Sequence, residues 1–420
     1  MTKKTWKEKT MSESVLTKPY GRPTSTWKFL LSELKPRGNP WTIFNMISVP
    51  TVIVAAVIIV IRFVYGLSAV SNVTQMVPWG LWKGFNVVTG VAFAGGAYVL
   101  TFMVYILGME KYKPLVRVTV LNGFLAYTFY AIALILDLGK PWNIINPIIG
   151  NSFGTSSILF LVAWHFILYI FAQLIEFSPA VAEWLGSERA RRNLKRLTIG
   201  AVVFGITLST LHQSGLGALF LMAKGKIHPL WYSEFIPTLF FISSIFAGLS
   251  MVIFQGSILQ RVFAYQMDKH SDENHNIMIR GLSRVCAVTM FVYFFLKIVD
   301  SVHNHTLGYL MTPMGVWYMI EMIGFVLVPM LLFVRGVRLG TPFTIKLASI
   351  MTLIGIVLNR MNVSVIAYRW DEIPRYIPTW MEIVVTVAIL FVQIWIFRWV
   401  LHRMPVLRTM ESMTAPKPTA

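Results

Sequence analysis

Ten apolar blocks, each roughly twenty residues long, constrain this chain more than any other feature. They fall at about 44–67, 84–107, 118–138, 155–177, 197–222, 237–260, 281–302, 317–334, 343–362 and 380–401. Twenty apolar residues is about what a helix needs to cross roughly 30 Å of hydrocarbon. At that depth no water can satisfy the backbone, so each block is expected to be a helix and the whole fold all-α and polytopic. Only 13% of residues are charged and 56% are hydrophobic, whereas a soluble domain is about one quarter charged. A soluble enzyme is excluded. Pro50 and Pro329 interrupt two of the spans, but packed neighbouring helices can re-satisfy the freed carbonyls. The stretch before the first span is basic and polar with no apolar core of its own, so the first span is expected to serve as the insertion signal.

The net charge of +19 takes its meaning from where the charges lie. Most of the 37 lysines and arginines sit in the two tails and in the loops near 108–117, 178–196, 261–280 and 335–346. The positive-inside rule then places both termini in the cytoplasm. Short clusters such as Arg189, Arg191, Arg192, Lys195 and Arg196 belong to such loops, which removes nucleic acid as a partner and leaves the lipid bilayer. The single cysteine, Cys286, rules out a disulfide framework, a cysteine-ligated zinc and an iron–sulfur cluster held by this chain alone.

A faint repeat runs through the spans. Arg117 and Asp137 bracket span three as Arg280 and Asp300 bracket span seven, with the same separation. Trp82 and Phe93-Ala94-Gly95-Gly96 frame span two, as Trp231 and Phe246-Ala247-Gly248 frame span six. The expected organisation is a basic tail (1–43), a first span with its loop (44–83), two pseudo-repeated four-helix bundles (84–222 and 223–362), an outer loop with the last span (363–401), and a second tail (402–420).

A charge at the centre of a membrane helix costs roughly 2.5–3.5 kcal/mol on insertion scales, so ionisable residues inside spans are functional candidates. Most cluster toward the outer ends. Lys83 and Asn86 open span two, Asp137 and Lys140 close span three, and His212 with Gln213 lies in the outer half of span five. Lys297, Asp300 and His303 end span seven; Glu321 opens span eight; Asn359, Arg360 and Asn362 end span nine; Glu382 opens span ten. The bland account is that residues near the interface reach out to water, which suits Lys83, Arg369 and Arg375. It suits the short side chains of Asp137, His212 and Asp300 less well. Deeper on the cytoplasmic side lie His165 and Glu176, eleven residues apart and so on one face of span four. They read either as the start of a proton path or as a packed histidine and an interfacial acid. His165 and His212 also raise the possibility of a bis-histidine haem, making a cytochrome b one rival reading. A secondary transporter with a parallel repeat is the other.

Several motifs point to one family. Pro78-Trp79-Gly80-Leu81-Trp82, Asp137-Leu138-Gly139-Lys140, His212-Gln213-Ser214, His228-Pro229-Leu230-Trp231 and Tyr376-Ile377-Pro378-Thr379-Trp380 resemble the HybB-like membrane subunits of quinone-linked nickel–iron hydrogenases. These belong to the NrfD/PsrC superfamily. The resemblance implies electron transfer between a ferredoxin-like iron–sulfur subunit, beside hydrogenase large and small subunits, and the quinone pool, with menaquinone the expected quinone. It further implies a bacterial or archaeal inner membrane, catalytic partners on the outer side, and no haem or iron–sulfur cluster on this chain. On this reading Asp137, Lys140, His212, Gln213 and Trp79 are expected at the quinone, and His165, Glu176, Lys297 and Asp300 on a proton path. The partner is expected on the outer loops 68–83, 139–154, 223–236, 303–316 and 363–379. Relatives often carry an acid where this chain has Asn86 and Gln255, a departure that leaves proton pumping open.

Overall fold

Each apolar block does form a helix, and ten helices among the described residues are long and apolar enough to cross a membrane. The computed structural model describes residues 26–35, 41–76, 78–149, 157–263, 271–372 and 375–407. Most of the expected basic tail, the C-terminal tail beyond 407 and part of the loop at 139–154 lie outside them. The spans are α1 (Ile43–Tyr65), α2 (Trp82–Ile106), α3 (Glu110–Asp137), α4 (Ile158–Trp184), α5 (Glu188–Ala223), α6 (Ile236–Val262), α7 (Glu273–His303), α8 (Pro313–Leu339), α9 (Pro342–Ile366) and α10 (Trp380–Arg403). The chain is a multi-pass membrane protein.

Two spans start well before their apolar blocks. α5 begins at Glu188 rather than near 197 and α7 reaches back to Glu273 rather than 281. The added turns carry Arg189, Arg191 and Arg192 in α5 and Arg280 in α7. A helix has no reason to stop at the hydrocarbon boundary when polar residues can continue it into water, whereas an apolar pattern marks only the part in lipid.

Consecutive spans pack as neighbours and close into two rings. α2 to α5 form one, with α5 returning to α2; α6 to α9 form the other, with α9 returning to α6. α2 packs against α6 and α9 of the other ring, and α5 against α6. α1 pairs with α10, and α10 rests on α3. Thus both flanking spans stand together rather than one beside each bundle. The backbones of α2 and α6 approach most closely at Gly96 and Gly248: a Cβ on either would press into the other's backbone. Small residues permit such crossings in membranes, where packing rather than hydrophobic exclusion drives helix association.

Four stretches leave α-helical winding for π: Trp82–Thr89 and Phe102–Ile106 in α2, Ile320–Leu327 in α8 and Asn362–Ile366 in α9. A π turn holds an extra residue and is found mostly at functional sites. Three of the four contain polar residues singled out above: Lys83 and Asn86, Glu321, and Asn362.

One end of the molecule, here the basic face, carries the lysine and arginine clusters. The other, the far face, carries the ends of α3, α7 and α9 and the starts of α2, α8 and α10.

Candidate functional site in the first bundle

The far end of α3 delivers Asp137 into a buried position, its side chain wholly shielded from solvent. Lys83, from the π-wound start of α2, pairs with it at 2.7 Å and also donates to the Pro78 carbonyl at 2.9 Å. The Asp137 Oδ1 has no hydrogen-bond partner among the described residues. Arg62 of α1, itself buried, donates to the carbonyls of Leu136 (2.6 Å) and Leu138, holding the end of α3 in place. Glu382 stands nearby at the start of α10. It accepts from Tyr376 (2.5 Å) and from the Thr379 backbone (2.9 Å), and its own carbonyl accepts from Trp82 Nε1. Tyr376 lies outside the spans, and burial together with this carboxylate pushes its hydroxyl pKa up. Tyr376 in turn accepts from the Leu81 N–H at 2.8 Å, so one hydroxyl ties the α10 entrance to the α2 entrance.

Lys140 is exposed on the loop; the amine at Asp137 is Lys83, which the sequence suggested would simply reach water. Trp79 is half-buried with its ring 4.8 Å from that of Phe220. It follows Pro78, whose carbonyl holds Lys83.

His212 and Gln213 lie deeper. Rings of Tyr127 and Phe166 come within 5.6 and 5.3 Å of the His212 ring. Tyr127 is ten residues below Asp137 on α3, about 15 Å along the axis. His212 is therefore at mid-bundle rather than beside Asp137. Its Nδ1 meets the Val162 carbonyl at 3.2 Å and its Nε2 is unpartnered. Gln213 donates to the Val91 carbonyl at 2.8 Å, stitching α5 to α2.

Between and below these residues the bundle interior holds polar atoms buried without partners among the described residues. They include both amide atoms of Asn86, the hydroxyls of Tyr127 and Ser209, and both amide atoms of Gln173. Tyr169 continues the line, its ring 4.7 Å from Tyr127. Tyr169, Gln173 and Glu176 are spaced i, i+4, i+7 on α4 and share a face. Glu176 ends the line in a cavity of about 320 Å³ toward the basic face, which Tyr105, Arg117 and Lys195 also line. His165 is half-buried with an unpartnered Nδ1. The sequence pointed to Glu176, His165, Asp137 and His212; Lys83, Tyr127, Tyr169, Gln173 and Ser209 were missed. The i, i+4, i+7 stripe of α4 was the available signal.

Lys297 and Asp300 belong to the second bundle. Lys297 donates to the Leu230 carbonyl at 3.2 Å and lies 3.9 Å from Asp300, which accepts from Ser233 (2.7 Å) and Asn304 (2.9 Å). Alongside, Glu321 accepts from Trp231 (2.7 Å), Asn359 (2.6 Å) and Asn362 (2.5 Å). Arg360 donates to Asn359 and to Ser243 and lies 3.6 Å over the Phe240 ring. The His228–Trp231 stretch thus supplies a lid to this network, and the His228 N–H bonds to the Ala367 carbonyl across an isolated bridge.

Residues 69–369 match the family described as polysulphide reductase, NrfD. A protein of Nitratidesulfovibrio vulgaris is 41% identical over 366 residues, 86% of this chain and 94% of that one. The probable Ni/Fe-hydrogenase 2 b-type cytochrome subunit of Escherichia coli K12 is 27% identical over 370 residues, covering 87% and 93%. The menaquinone reductase integral membrane subunit of Nitratidesulfovibrio vulgaris is 24% identical over 358 residues, covering 74% and 79%.

The name of the second relative raises haem. The His212 ring is packed against those of Tyr127 and Phe166, at 5.6 and 5.3 Å. The far-face cluster offers a half-buried amine and a carboxylate with one oxygen that accepts no hydrogen bond among the described residues.

Proposed function

The chain belongs to the polysulphide reductase NrfD family, and on that premise we propose that it is the quinone-reactive membrane subunit of a respiratory oxidoreductase. The positive-inside rule makes the basic face cytoplasmic and the far face external. Electrons come from an iron–sulfur subunit docked on the far-face loops, with a nickel–iron hydrogenase the enzyme behind it and menaquinone the acceptor. The hydrogenase and menaquinone reductase names of two relatives support this reading.

The observation that carries it is the Lys83–Asp137 pair. Reducing a quinone to a quinol takes two electrons and two protons, and a half-buried amine paired with a buried carboxylate is suited to the proton half. Lys83 Nζ donates a hydrogen bond, and then a proton, to the substrate oxygen. Asp137 keeps that amine charged until it is needed, and its free Oδ1 accepts the replacing proton. Trp79 and Phe220 provide an apolar edge for a planar ring arriving from lipid. Protons reach Asp137 from the cytoplasmic cavity at Glu176 along Gln173, Tyr169, Tyr127, Ser209, His212 and Asn86, with His165 at the side. The gaps along this line are bridged by water, since buried polar atoms without protein partners ordinarily hold ordered water. Uptake from the cytoplasm combined with an external electron donor makes turnover electrogenic. Lys297 and Asp300 stand outside this route.

The test is Lys83→Met in the assembled complex. Removal of a positioned proton donor is expected to lower quinone reduction about a hundredfold, with dye-linked oxidation by the partner enzyme unchanged. Wild-type quinone reduction in the variant refutes the site. For the proton line, Glu176→Gln is expected to abolish the membrane potential generated per quinone reduced in proteoliposomes. A full potential in that variant removes Glu176 from the route.

A further inference from the structure

A second cleft opens on the basic face of the other bundle, between the end of α6 and the start of α9. Its volume is about 470 Å³. Phe254, Ile258 and Ile350 give it apolar walls, while Arg261, Lys346 and Ser349 give it a polar floor with two positive charges. Unlike the cavity at Glu176, it is lined by no acid among the described residues.

Some basic residues elsewhere on this face are paired: Arg117 with Glu183 at 3.1 Å, Arg191 with Glu188 at 3.1 Å, and Arg403 with Glu33 at 3.2 Å. Arg261 and Lys346 form no ion pair with any described residue. Two like charges lining one cleft repel each other, and an anion placed there relieves both. The apolar walls say which anion. Ile258 and Ile350 are 45% and 40% exposed on helices that run from the cleft into the hydrocarbon, so its occupant needs a chain to lay against them. A soluble anion gains nothing from that surface. Basic pockets between membrane helices at this face suit lipid headgroups.

We propose that the α6–α9 cleft binds an anionic phospholipid, with its phosphate on Arg261 and Lys346 and an acyl chain along Ile258 and Ile350. The site is independent of the quinone reading and rests on none of its residues.

The experiment is native mass spectrometry of the full chain, purified with its partners and exposed to phosphatidylglycerol and phosphatidylcholine of identical acyl chains. Wild type is expected to prefer phosphatidylglycerol by about 25-fold, since each of the two cations near a membrane surface contributes about a fivefold gain. The Arg261→Gln, Lys346→Gln double variant is expected to lose the preference. Arg261→Lys with Lys346→Arg, which conserves both charges, is expected to keep it, as is Lys111→Gln with Arg189→Gln elsewhere on the same face. A preference that survives the double glutamine variant, or is absent in wild type, overturns the proposal. So does its loss in either control pair. Displacement of the lipid by millimolar inorganic phosphate also overturns it, because the occupant is then a free anion.

Discussion

The two four-helix rings have the same connectivity yet differ in how many buried polar groups they leave without a hydrogen bond; in the network around Glu321 it is the Arg360 Nε alone among the described residues. In the second ring Glu321 accepts three hydrogen bonds from Trp231, Asn359 and Asn362, and Asp300 accepts two more. In the first, the side chains of Asn86, Tyr127, Gln173 and Ser209 and the Nε2 of His212 make no hydrogen bond among the described residues, nor does one oxygen of Asp137. A closed network rigidifies, and a partly satisfied one is costly unless water or substrate completes it. On the proposed function the difference divides labour: the second ring is a fixed support, and the first is where protons and substrate move.

That division is broken most directly in the support. Glu321→Ala leaves three donors unpaired in a buried site, and each such loss costs about 1–3 kcal/mol. The variant is expected to lose about 3–5 kcal/mol of stability, read as a lowered unfolding midpoint and less assembled complex. The reciprocal substitution, Tyr127→Phe, removes a hydroxyl that makes no hydrogen bond within 3.5 Å among the described residues and is expected to change that midpoint little. Equal destabilisation by the two would erase the distinction.

A smaller effect sharpens the comparison from the other side. Gln173→Leu replaces a buried amide, unpartnered in both atoms, by an apolar group of similar size. Stability is expected to hold or rise. The line of polar atoms between Glu176 and Tyr127 is then interrupted by one helical turn, and proton-coupled turnover is expected to fall about tenfold. In proteoliposomes the measurement is quinone reduction against membrane potential; a loss of folding instead of rate would make Gln173 structural.

The sequence announced the fold because hydrocarbon imposes a length that any apolar block must meet, and because basic loops alternate. It also picked out Asp137, His212 and Glu321, since an ionisable residue in a span is expensive wherever it lies. It did not reveal partners. Lys83 sits in a π turn, where the α-helical spacing used to assign faces no longer holds. Lys140 is nearer to Asp137 in sequence, but the chain leaves the helix after Asp137 and carries Lys140 outward. The depth of His212 was misjudged because α5 spans Glu188–Ala223, more than a membrane's thickness, so counting from its end says little. Gln173 and Tyr127 were overlooked because neither is charged; their significance lies in unmet hydrogen bonds, which only packing exposes.

The smallest expected effect concerns His228, which joins the support ring to the far-face loops. Its ring is buried against Trp231, Tyr309 and Trp370, with centroids 5.5, 5.5 and 4.6 Å away. Its Nδ1 accepts from the Leu230 N–H at 3.2 Å, so the neutral form is the one the loop requires. Burial holds its pKa below the usual 6.5. The unfolded chain therefore takes up a proton near pH 6.5 that the folded loop resists. The contribution of His228 is fully present above that pH and declines as acid carries the protein toward the lower, folded value. Acidification also costs the Leu230 bond, because a protonated Nδ1 cannot accept it. Replacing His228 by Gln removes the titration while leaving an acceptor, at a cost of about 1 kcal/mol or less near neutrality. Unfolding midpoints from pH 7.5 to 5 are expected to fall less steeply in the variant than in wild type, the two curves approaching each other in acid. Parallel curves would show that the imidazole stays uncoupled from the lid, and that the support ring owes its pH response to other groups.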